Sequence, residues 1–270
     1  MKCVILTTDT KHHRYFANRL ARHATTIVVL ERRKLDMWKL YAKWVASQRT
    51  LLSVVDNPYL PLPYRRFHRL QDRFEDCFFS SGVPPRFSGH ATLHEFFSVN
   101  DPACVELVAG LKPDMIVSFG TGLIKDGLLG IKALNVNIHR GILPKYRGLD
   151  SDLWAFYFND FDNVGTTVHK LERTFDTGDI LKQARLMIGA GMKVHHIRYH
   201  TTVLAADMVE ELIGEVDAGR AVSGIAQNAR DGGYYSFVPP LKRWRAIRNF
   251  NAHVASRIGH AHSMAESAKT

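Results

Sequence analysis

Two stretches decide the fold: Met115-Ile116-Val117-Ser118-Phe119-Gly120-Thr121-Gly122 and Ala133-Leu134-Asn135-Val136-Asn137-Ile138-His139. The first contains a short, mainly apolar run, which is typical of a buried strand. The second is also a strand candidate, in which Asn135, Asn137 and His139 point to the same side. Gly120-Thr121-Gly122 predicts a tight turn after the first strand, and residues 123–129 predict a helix before the second. A strand, a helix and a second strand in succession indicate a parallel pair in an α/β sheet.

The start of the chain repeats this arrangement. Residues 4–6 and 27–30 are apolar strand candidates, and residues 11–23 between them predict a helix. Residues 7–10 read Thr-Thr-Asp-Thr, so the glycine-rich turn that binds dinucleotide phosphates is absent. The sequence therefore predicts an α/β fold with a mostly parallel sheet and without the usual dinucleotide cradle.

The second half of the chain continues with strands and then changes character. Residues 164–171 and 180–188 predict two further strands, joined by a loop that contains Asp176. Residues 194–216 then predict a long helix. After this helix we expect, in order, a small hairpin formed by residues 221–227 and 234–238, a short basic helix at 243–250, and a frayed end.

These elements suggest a catalytic domain with an appendage. We expect residues 1–190 to form the catalytic domain and residues 191–270 to pack on it. Residues 35–80 have a largely helical pattern and predict a helical insertion, broken by a proline-rich loop at 58–63. The aromatic residues in this insertion make a homodimer plausible without establishing one.

Composition is that of an ordinary globular protein. The chain has 270 residues, of which 46% are hydrophobic and 23% are charged. No apolar run reaches the ~20 residues that a membrane span needs, and the N-terminus lacks a signal peptide pattern. Three cysteines without metal-type spacing favour a cytoplasmic protein without a metal site.

The net charge of +10 can attract nucleic acid, but it can equally attract a phosphorylated metabolite. Two basic clusters, residues 65–73 and 242–248, are interpreted as solvated helix faces. In the first cluster, Phe67, Leu70 and Phe74 have the spacing of one inward helix face. The alternative is single-stranded nucleic-acid binding by basic residues interleaved with aromatic ones, and we do not expect a nucleic-acid partner.

Three side chains predict the chemistry. Asn137 and His139 lie on one face at the end of a predicted parallel strand, where sites in open α/β sheets form. An Asn amide can donate to an oxyanion, and a His can move protons near neutral pH. The carboxylate of Asp176 can orient the His. Taken together, these groups suit the transfer of an acyl group to an amine.

The same residues carry a resemblance to a known family. Asn137-Ile138-His139, Leu143-Pro144-Lys145-Tyr146-Arg147-Gly148 and Phe175-Asp176-Thr177-Gly178-Asp179 resemble motifs of the 10-formyltetrahydrofolate-dependent formyltransferases. This family includes glycinamide ribonucleotide transformylase, methionyl-tRNA formyltransferase and the sugar N-formyltransferases. The resemblance implies a Rossmann-like formyltransferase fold and 10-formyltetrahydrofolate as the formyl donor.

The resemblance also implies the site residues. Asn137, His139 and Asp176 would be the catalytic residues. The donor would be held largely by backbone groups of the pterin pocket, which would comprise Phe119, Gly120, Thr121, Gly122, Leu123, Ile124, Lys125, Thr174 and Phe175. In this scheme the formyl carbonyl accepts hydrogen bonds from Asn137 and His139, and Asp176 assists proton transfer.

Departures from the family pattern reduce the number of candidate acceptor substrates. The glycine-rich phosphate loop of glycinamide ribonucleotide transformylase is missing, and the region after residue 216 looks too short for the C-terminal barrel of methionyl-tRNA formyltransferase. We therefore expect a small-molecule amine, phosphorylated or nucleotide-linked, and above all an amino sugar on a nucleoside diphosphate. The alternatives are a hydroxyornithine-type siderophore precursor or another natural-product amine, or a non-catalytic nucleic-acid-binding protein on this scaffold. Arg140 adds a cation beside the site, which suits a phosphate on the acceptor or pairs with a local carboxylate.

Overall fold

The computed structural model describes residues 1–32, 62–80 and 86–267. A seven-stranded sheet forms the centre, with the strand order β3-β2-β1-β4-β5-β7-β8. Its strands are β1 (Lys2–Thr7), β2 (Thr25–Glu31), β3 (Thr92–Phe96), β4 (Met115–Phe119), β5 (Leu134–His139), β7 (Gly165–Lys170) and β8 (Ile180–Arg185). Strands β1 to β5 are parallel, whereas β7 and β8 are antiparallel additions at the β5 edge. The predicted α/β class and mostly parallel sheet are confirmed.

Helices cover both faces of this sheet. They are α1 (Lys11–Leu20), α2 (Leu62–Ser80), α3 (Pro102–Leu111), α4 (Asp126–Leu129), α5 (Ser151–Tyr157), α6 (Ile197–Asp217) and α7 (Pro240–Ser267). Apolar side chains of α1 and α6 pack on one face, around Phe16, Val117 and Leu212. The other face packs on α3 through Val108 and Ile116. Helices α5 and α7 bury a separate cluster that includes Phe156 and Phe250.

Helix α2 is fixed to the domain by ion pairs. Glu75 is fully buried and accepts bonds of 2.5 and 2.7 Å from Arg198 at the start of α6. Lys11 of α1 contacts Asp76 at 2.7 Å. The predicted inward face of this helix is only partly right, because Leu70 is exposed and the buried residue beside it is Gln71. Most of the predicted helical insertion, with its aromatic residues, and most of the proline-rich loop lie outside the described residues.

The predicted C-terminal hairpin is wrong. Strand β9 (Gly233–Tyr235) pairs in parallel with β6 (Tyr146–Gly148), which precedes α5 in the chain. Ile225, from the other predicted hairpin strand, forms an antiparallel bridge to Ile180 instead. Each of the two segments thus pairs with a distant strand of the core and not with the other segment. Local turn signals in the sequence cannot distinguish such long-range pairing from a hairpin.

Three further boundaries differ from the sequence predictions. The helix expected at residues 123–129 begins only at Asp126, because the backbone before it is bonded to side chains of other loops. The short basic helix at 243–250 is part of α7, which continues to Ser267 where a frayed end was expected. Strand β3 was missed, since its residues are mainly exposed or partly exposed at a sheet edge.

Within the described residues, no helix combines the length and the apolar character that would let it cross a bilayer.

Candidate active site

A cleft of about 430 Å³ opens at the carboxyl edge of β4 and β5. Strand β5 ends at His139, and the loop between β7 and β8 brings Asp176 to the same edge. Asn137, His139 and Asp176 all line this cleft, so the structure brings the three predicted residues together. Both β4 and β5 deliver their ends here because their parallel register aligns Ser118 with Asn137.

His139 lies between a backbone carbonyl and a carboxylate. Its Nε2 lies 2.6 Å from the carbonyl oxygen of Tyr146, and its Nδ1 lies 3.4 Å from Oδ2 of Asp176. Because a carbonyl oxygen only accepts, Nε2 carries a proton and donates it. In the neutral ring, Nδ1 is therefore the free basic nitrogen and faces Asp176. This nitrogen is suited to take up a proton while the carboxylate stabilises the resulting charge.

Asn137 is oriented by a second histidine, His169, which the sequence analysis missed. Nδ1 of His169 lies 2.8 Å from the carbonyl oxygen of Lys170, so it donates there and leaves Nε2 to accept. The Asn137 Nδ2 lies 3.0 Å from this Nε2 and donates to it. The amide's second N–H remains available to the cleft. The available signal was the Val168-His169-Lys170 stretch in a strand that pairs residue for residue with β5.

Burial and nearby charges have opposite effects on the pKa values of His139 and Asp176. Burial lowers the pKa of His139 below its ordinary value, although the Asp176 charge and the Tyr146 carbonyl oppose that shift. Burial alone would raise the pKa of Asp176, but the interactions with His139 and the Gly148 N–H reverse the shift and lower that pKa. Near neutral pH the site therefore holds a neutral His139 beside an ionised Asp176.

The backbone fixes the position of Asp176. This residue has a φ of +58°, and its Oδ2 accepts the Gly148 N–H at 2.8 Å. Gly148 has a φ of +93°, and a side chain there would overlap the backbone carbonyl of Tyr235 in β9. Glycine is therefore required where β6 approaches both the carboxylate and β9.

The loop after β4 presents backbone groups to the cleft and is held from behind. Glu31, at the end of β2, accepts the Gly122 N–H at 3.0 Å. Asn100 donates to the Leu123 carbonyl and accepts the Lys125 N–H, both at 2.8 Å. These bonds fix a loop that has no regular secondary structure of its own, so its remaining N–H and C=O groups are preorganised for a ligand.

Most of the predicted pterin-pocket residues line the cleft. They are Phe119, Gly120, Thr121, Gly122, Leu123, Ile124, Thr174 and Phe175. Lys125 does not line it, because its N–H is directed to Asn100. The combination of apolar side chains and backbone donors and acceptors suits a flat heteroaromatic ring with a polar edge.

Part of the cleft wall is polar, and most of it was missed from the sequence. It carries His12 and His13 from the start of α1, Arg140 directly after His139, and Asp152 from α5. Burial lowers the pKa of His13 to about 3 and lowers the pKa of His12 as well, so both rings are neutral near pH 7. In the described ranges, no group of three or more His, Cys, Asp or Glu side chains is arranged to hold a metal ion.

Comparison with known proteins agrees with this architecture. Residues 82–209 match the family model described as Formyl transferase. A methionyl-tRNA formyltransferase from Chlorobium chlorochromatii is 29% identical over 165 residues, which is 61% of this chain and 51% of the relative. A GDP-perosamine N-formyltransferase from Brucella melitensis is 31% identical over 158 residues, covering 56% of this chain and 60% of the relative.

A solved structure extends the likeness of fold over most of the chain. It is an N-formyltransferase from Helicobacter canadensis, in complex with folinic acid and dTDP-3-aminofucose, with a TM-score of 0.52 and 16% identity. The match covers 87% of this chain and 71% of that one. The chain spans about half the length of the first curated relatives it matches. The segment that matches the formyl transferase family model contains β4, β5 and the loop with Asp176, so the match includes the three candidate catalytic residues.

Proposed function

We propose that this chain transfers a formyl group from 10-formyltetrahydrofolate to a primary amine of a small molecule. The observation that carries the proposal is the convergence of Asn137, His139 and Asp176 in one cleft, beside a preorganised backbone loop. The folate supplies an activated formyl group. Backbone groups of residues 119–124 and the side chain of Phe175 would hold its ring.

In this proposal Asn137 and His139 act on different atoms. The free N–H of Asn137 donates to the formyl oxygen, which gains negative charge as the amine adds to the carbonyl carbon. The bond from this carbon to the acceptor nitrogen forms, and its bond to the folate nitrogen breaks. His139 Nδ1 takes the proton that leaves the acceptor amine. A water then relays this proton from His139 to the folate nitrogen, so the protein ends the reaction in its starting protonation state.

Asp176 supports the proton transfer without leaving its place. Its ionised carboxylate lies 3.4 Å from the Nδ1 that becomes protonated, and the resulting ion pair stabilises the charged ring. The bond from Gly148 holds the carboxylate in this orientation. This arrangement needs a neutral His139 at the start of the reaction, and burial of the ring provides it.

We propose a nucleoside-diphosphate-linked amino sugar as the acceptor. The relative named for GDP-perosamine N-formylation supports an amino-sugar acceptor, because it is 31% identical over 158 residues. The polar wall with Arg140 is consistent with a phosphorylated molecule. Most of the similar curated proteins are methionyl-tRNA formyltransferases, so charged initiator tRNA belongs in the test.

The test is tetrahydrofolate release from 10-formyltetrahydrofolate with a panel of acceptors. The panel holds several nucleoside-diphosphate amino sugars, N-hydroxyornithine, glycinamide ribonucleotide and methionyl-tRNA. We expect turnover with an amino sugar. Turnover only with another acceptor would replace the proposed substrate. Absence of both turnover and folate binding would refute the function.

Two variants test the assigned residues. We expect Asn137→Ala to reduce kcat by roughly 10²–10³-fold, the loss seen when one donor to a developing oxyanion is removed. We expect His139→Ala to reduce kcat by roughly 10²–10⁴-fold, the usual contribution of a general base. Asn135→Ala, on the same strand but bonded to Ile131, is the matched control. His90→Ala, at an exposed position, controls for His139→Ala. Full activity of Asn137→Ala or His139→Ala would show that its assignment is wrong.

A further inference from the structure

Arg140 is a cation of the cleft that lacks a partner among the described residues. It lies directly after His139, is partly buried and lines the cleft. Within residues 1–32, 62–80 and 86–267, no group forms a hydrogen bond or an ion pair with its guanidinium. Burial lowers the pKa of this group, yet an arginine keeps its charge in proteins. A partly desolvated charge without a counterion is unfavourable, and a bound anion would relieve this.

The acidic side chains near Arg140 are engaged elsewhere. Glu75 accepts two bonds from Arg198. Asp150 accepts the Val238 N–H at 3.0 Å and a bond from Arg243 at 3.1 Å. The local-carboxylate alternative for Arg140 is therefore not realised through either of them.

Asp152 is the carboxylate with the greatest electrostatic influence on Arg140, and it does not come within the 4.0 Å of an ion pair. Its Oδ1 accepts the Leu153 N–H at 2.8 Å. Burial raises the pKa of Asp152. Arg140 thus lines the cleft, and none of the described residues occupies its guanidinium donors.

The neighbouring histidines add polarity without charge. His12 Nδ1 lies 3.1 Å from Thr10 Oγ1, and His13 Nδ1 lies 3.1 Å from the Thr8 carbonyl oxygen. Both rings are buried and border the cleft. Because they remain neutral near pH 7, they neither repel an anion nor replace the charge of Arg140.

We propose that Arg140 binds a phosphoryl group of the acceptor where it lines the cleft. This inference rests on the proposed function, and it assigns one residue to one part of the acceptor. The planar guanidinium offers paired N–H donors that match two phosphoryl oxygens, which an ammonium cannot do. Arg140 adjoins His139 in the chain, so a bound phosphoryl group would position the acceptor amine near the reacting carbon.

The first experiment measures binding of inorganic pyrophosphate to the full chain by isothermal titration calorimetry. We expect Arg140→Gln to weaken this binding roughly tenfold to a hundredfold, as for the loss of a hydrogen bond between charged groups. Arg140→Lys keeps the positive charge but lacks the paired N–H donors, so it should bind pyrophosphate more tightly than Arg140→Gln and less tightly than the wild type. Arg220→Gln removes an exposed cation near the end of α6 and is expected to change the affinity by less than about twofold.

Equal pyrophosphate affinity in the wild type and in Arg140→Gln would overturn the assignment, as would no binding by the wild type. Tighter binding of malonate than of pyrophosphate would overturn the phosphoryl group in favour of a carboxylate. Urea unfolding of Arg140→Gln, compared with that of the wild type, serves as the folding control.

A second experiment separates this inference from the proposed function. Formyl transfer is compared between a nucleoside-diphosphate amino sugar and the same amino sugar without phosphate. We expect Arg140→Gln to lower kcat/KM at least tenfold more for the first than for the second. An equal loss for both would refute the role of Arg140 while leaving the transferase intact. Pyrophosphate binding through Arg140 without any transfer would instead refute the proposed function.

Discussion

Glu31→Ala tests whether the loop at residues 119–125 must be held from behind in order to bind the donor. Glu31 is 4% exposed, and its carboxylate accepts the Gly122 N–H at 3.0 Å. The Val99 N–H and the Ser98 hydroxyl also donate to it, each at 3.4 Å. Bonds at 3.4 Å are weak, so the bond to Gly122 carries most of the expected effect.

The magnitude follows from that one bond. A hydrogen bond to a charged acceptor contributes about 1.5–3 kcal/mol, and this is the free energy at stake in the variant. If the loop stays in place without its partner, the whole loss lowers the free energy of unfolding. If the loop relaxes in the free protein, binding must restore its position and the loss lowers donor affinity instead. Because about 1.4 kcal/mol is tenfold, affinity can fall by roughly ten- to a hundredfold.

We expect the second outcome, since residues 121–125 form no regular structure that would hold them. Calorimetry with folinic acid measures the affinity, and urea unfolding measures stability. Glu95→Ala is the matched control: Glu95 pairs with Arg32 at the surface, and its loss should change stability by less than about 0.5 kcal/mol. A stability loss of about 1.5 kcal/mol or more in Glu31→Ala, with unchanged affinity, would show that Glu31 supports only the fold.

Three further outcomes follow from the site. Asp176→Asn removes the charge that favours the protonated ring, so NMR titration should find the pKa of His139 lower still than in the wild type; a rise would contradict this pairing. Gly148→Ala should lower the free energy of unfolding by more than the ~1–3 kcal/mol that a positive φ alone costs. Urea unfolding measures this, and Gly191→Ala is the control, because Gly191 has a φ of +81° and open space around it. Burial lowers the pKa of His13 to about 3, so only the unfolded chain takes up its proton as pH falls below about 6.5, and stability should decrease towards acid. His13→Gln should remove up to ~1.4 kcal/mol of this loss per pH unit between pH 6 and 4, and an unchanged slope in urea unfolding would refute it.

The sequence predicts the central sheet well where side-chain periodicity is local. Strand β4 is a mainly apolar run that is fully buried, as expected in a parallel sheet covered on both faces. Strand β5 alternates apolar residues with Asn135, Asn137 and His139, which is the two-residue period of a strand. Strand β3 is mainly exposed and offers no such run. Strand β9 is only three residues long and pairs with β6, far away in the chain. No short-range pattern encodes that pairing.

The same distinction explains what was foreseen of the site. Asn137 and His139 share a face because residues two apart on a strand point the same way. Asp176 was found only through its motif. His169 contacts Asn137 because β7 runs antiparallel to β5 in a fixed register, which is a property of the sheet and not of either segment alone. Arg140 was noticed as a cation. Only the packing of α2, α5 and α6 reveals that none of the described residues pairs with it.

The pairing of β6 with β9 determines which segments must be exchanged together in a chimera of this protein and a relative. Tyr235 accepts the Leu149 N–H at 2.9 Å through its carbonyl oxygen, directly beside the Gly148 N–H that holds Asp176. The C-terminal segment thus supplies one strand of a pair, and the other strand lies almost ninety residues earlier in the chain. A chimera that exchanges only residues 218–270 would pair a foreign β9 with a native β6. The exchangeable unit therefore comprises two separate pieces of chain, residues 146–149 and residues 218–270.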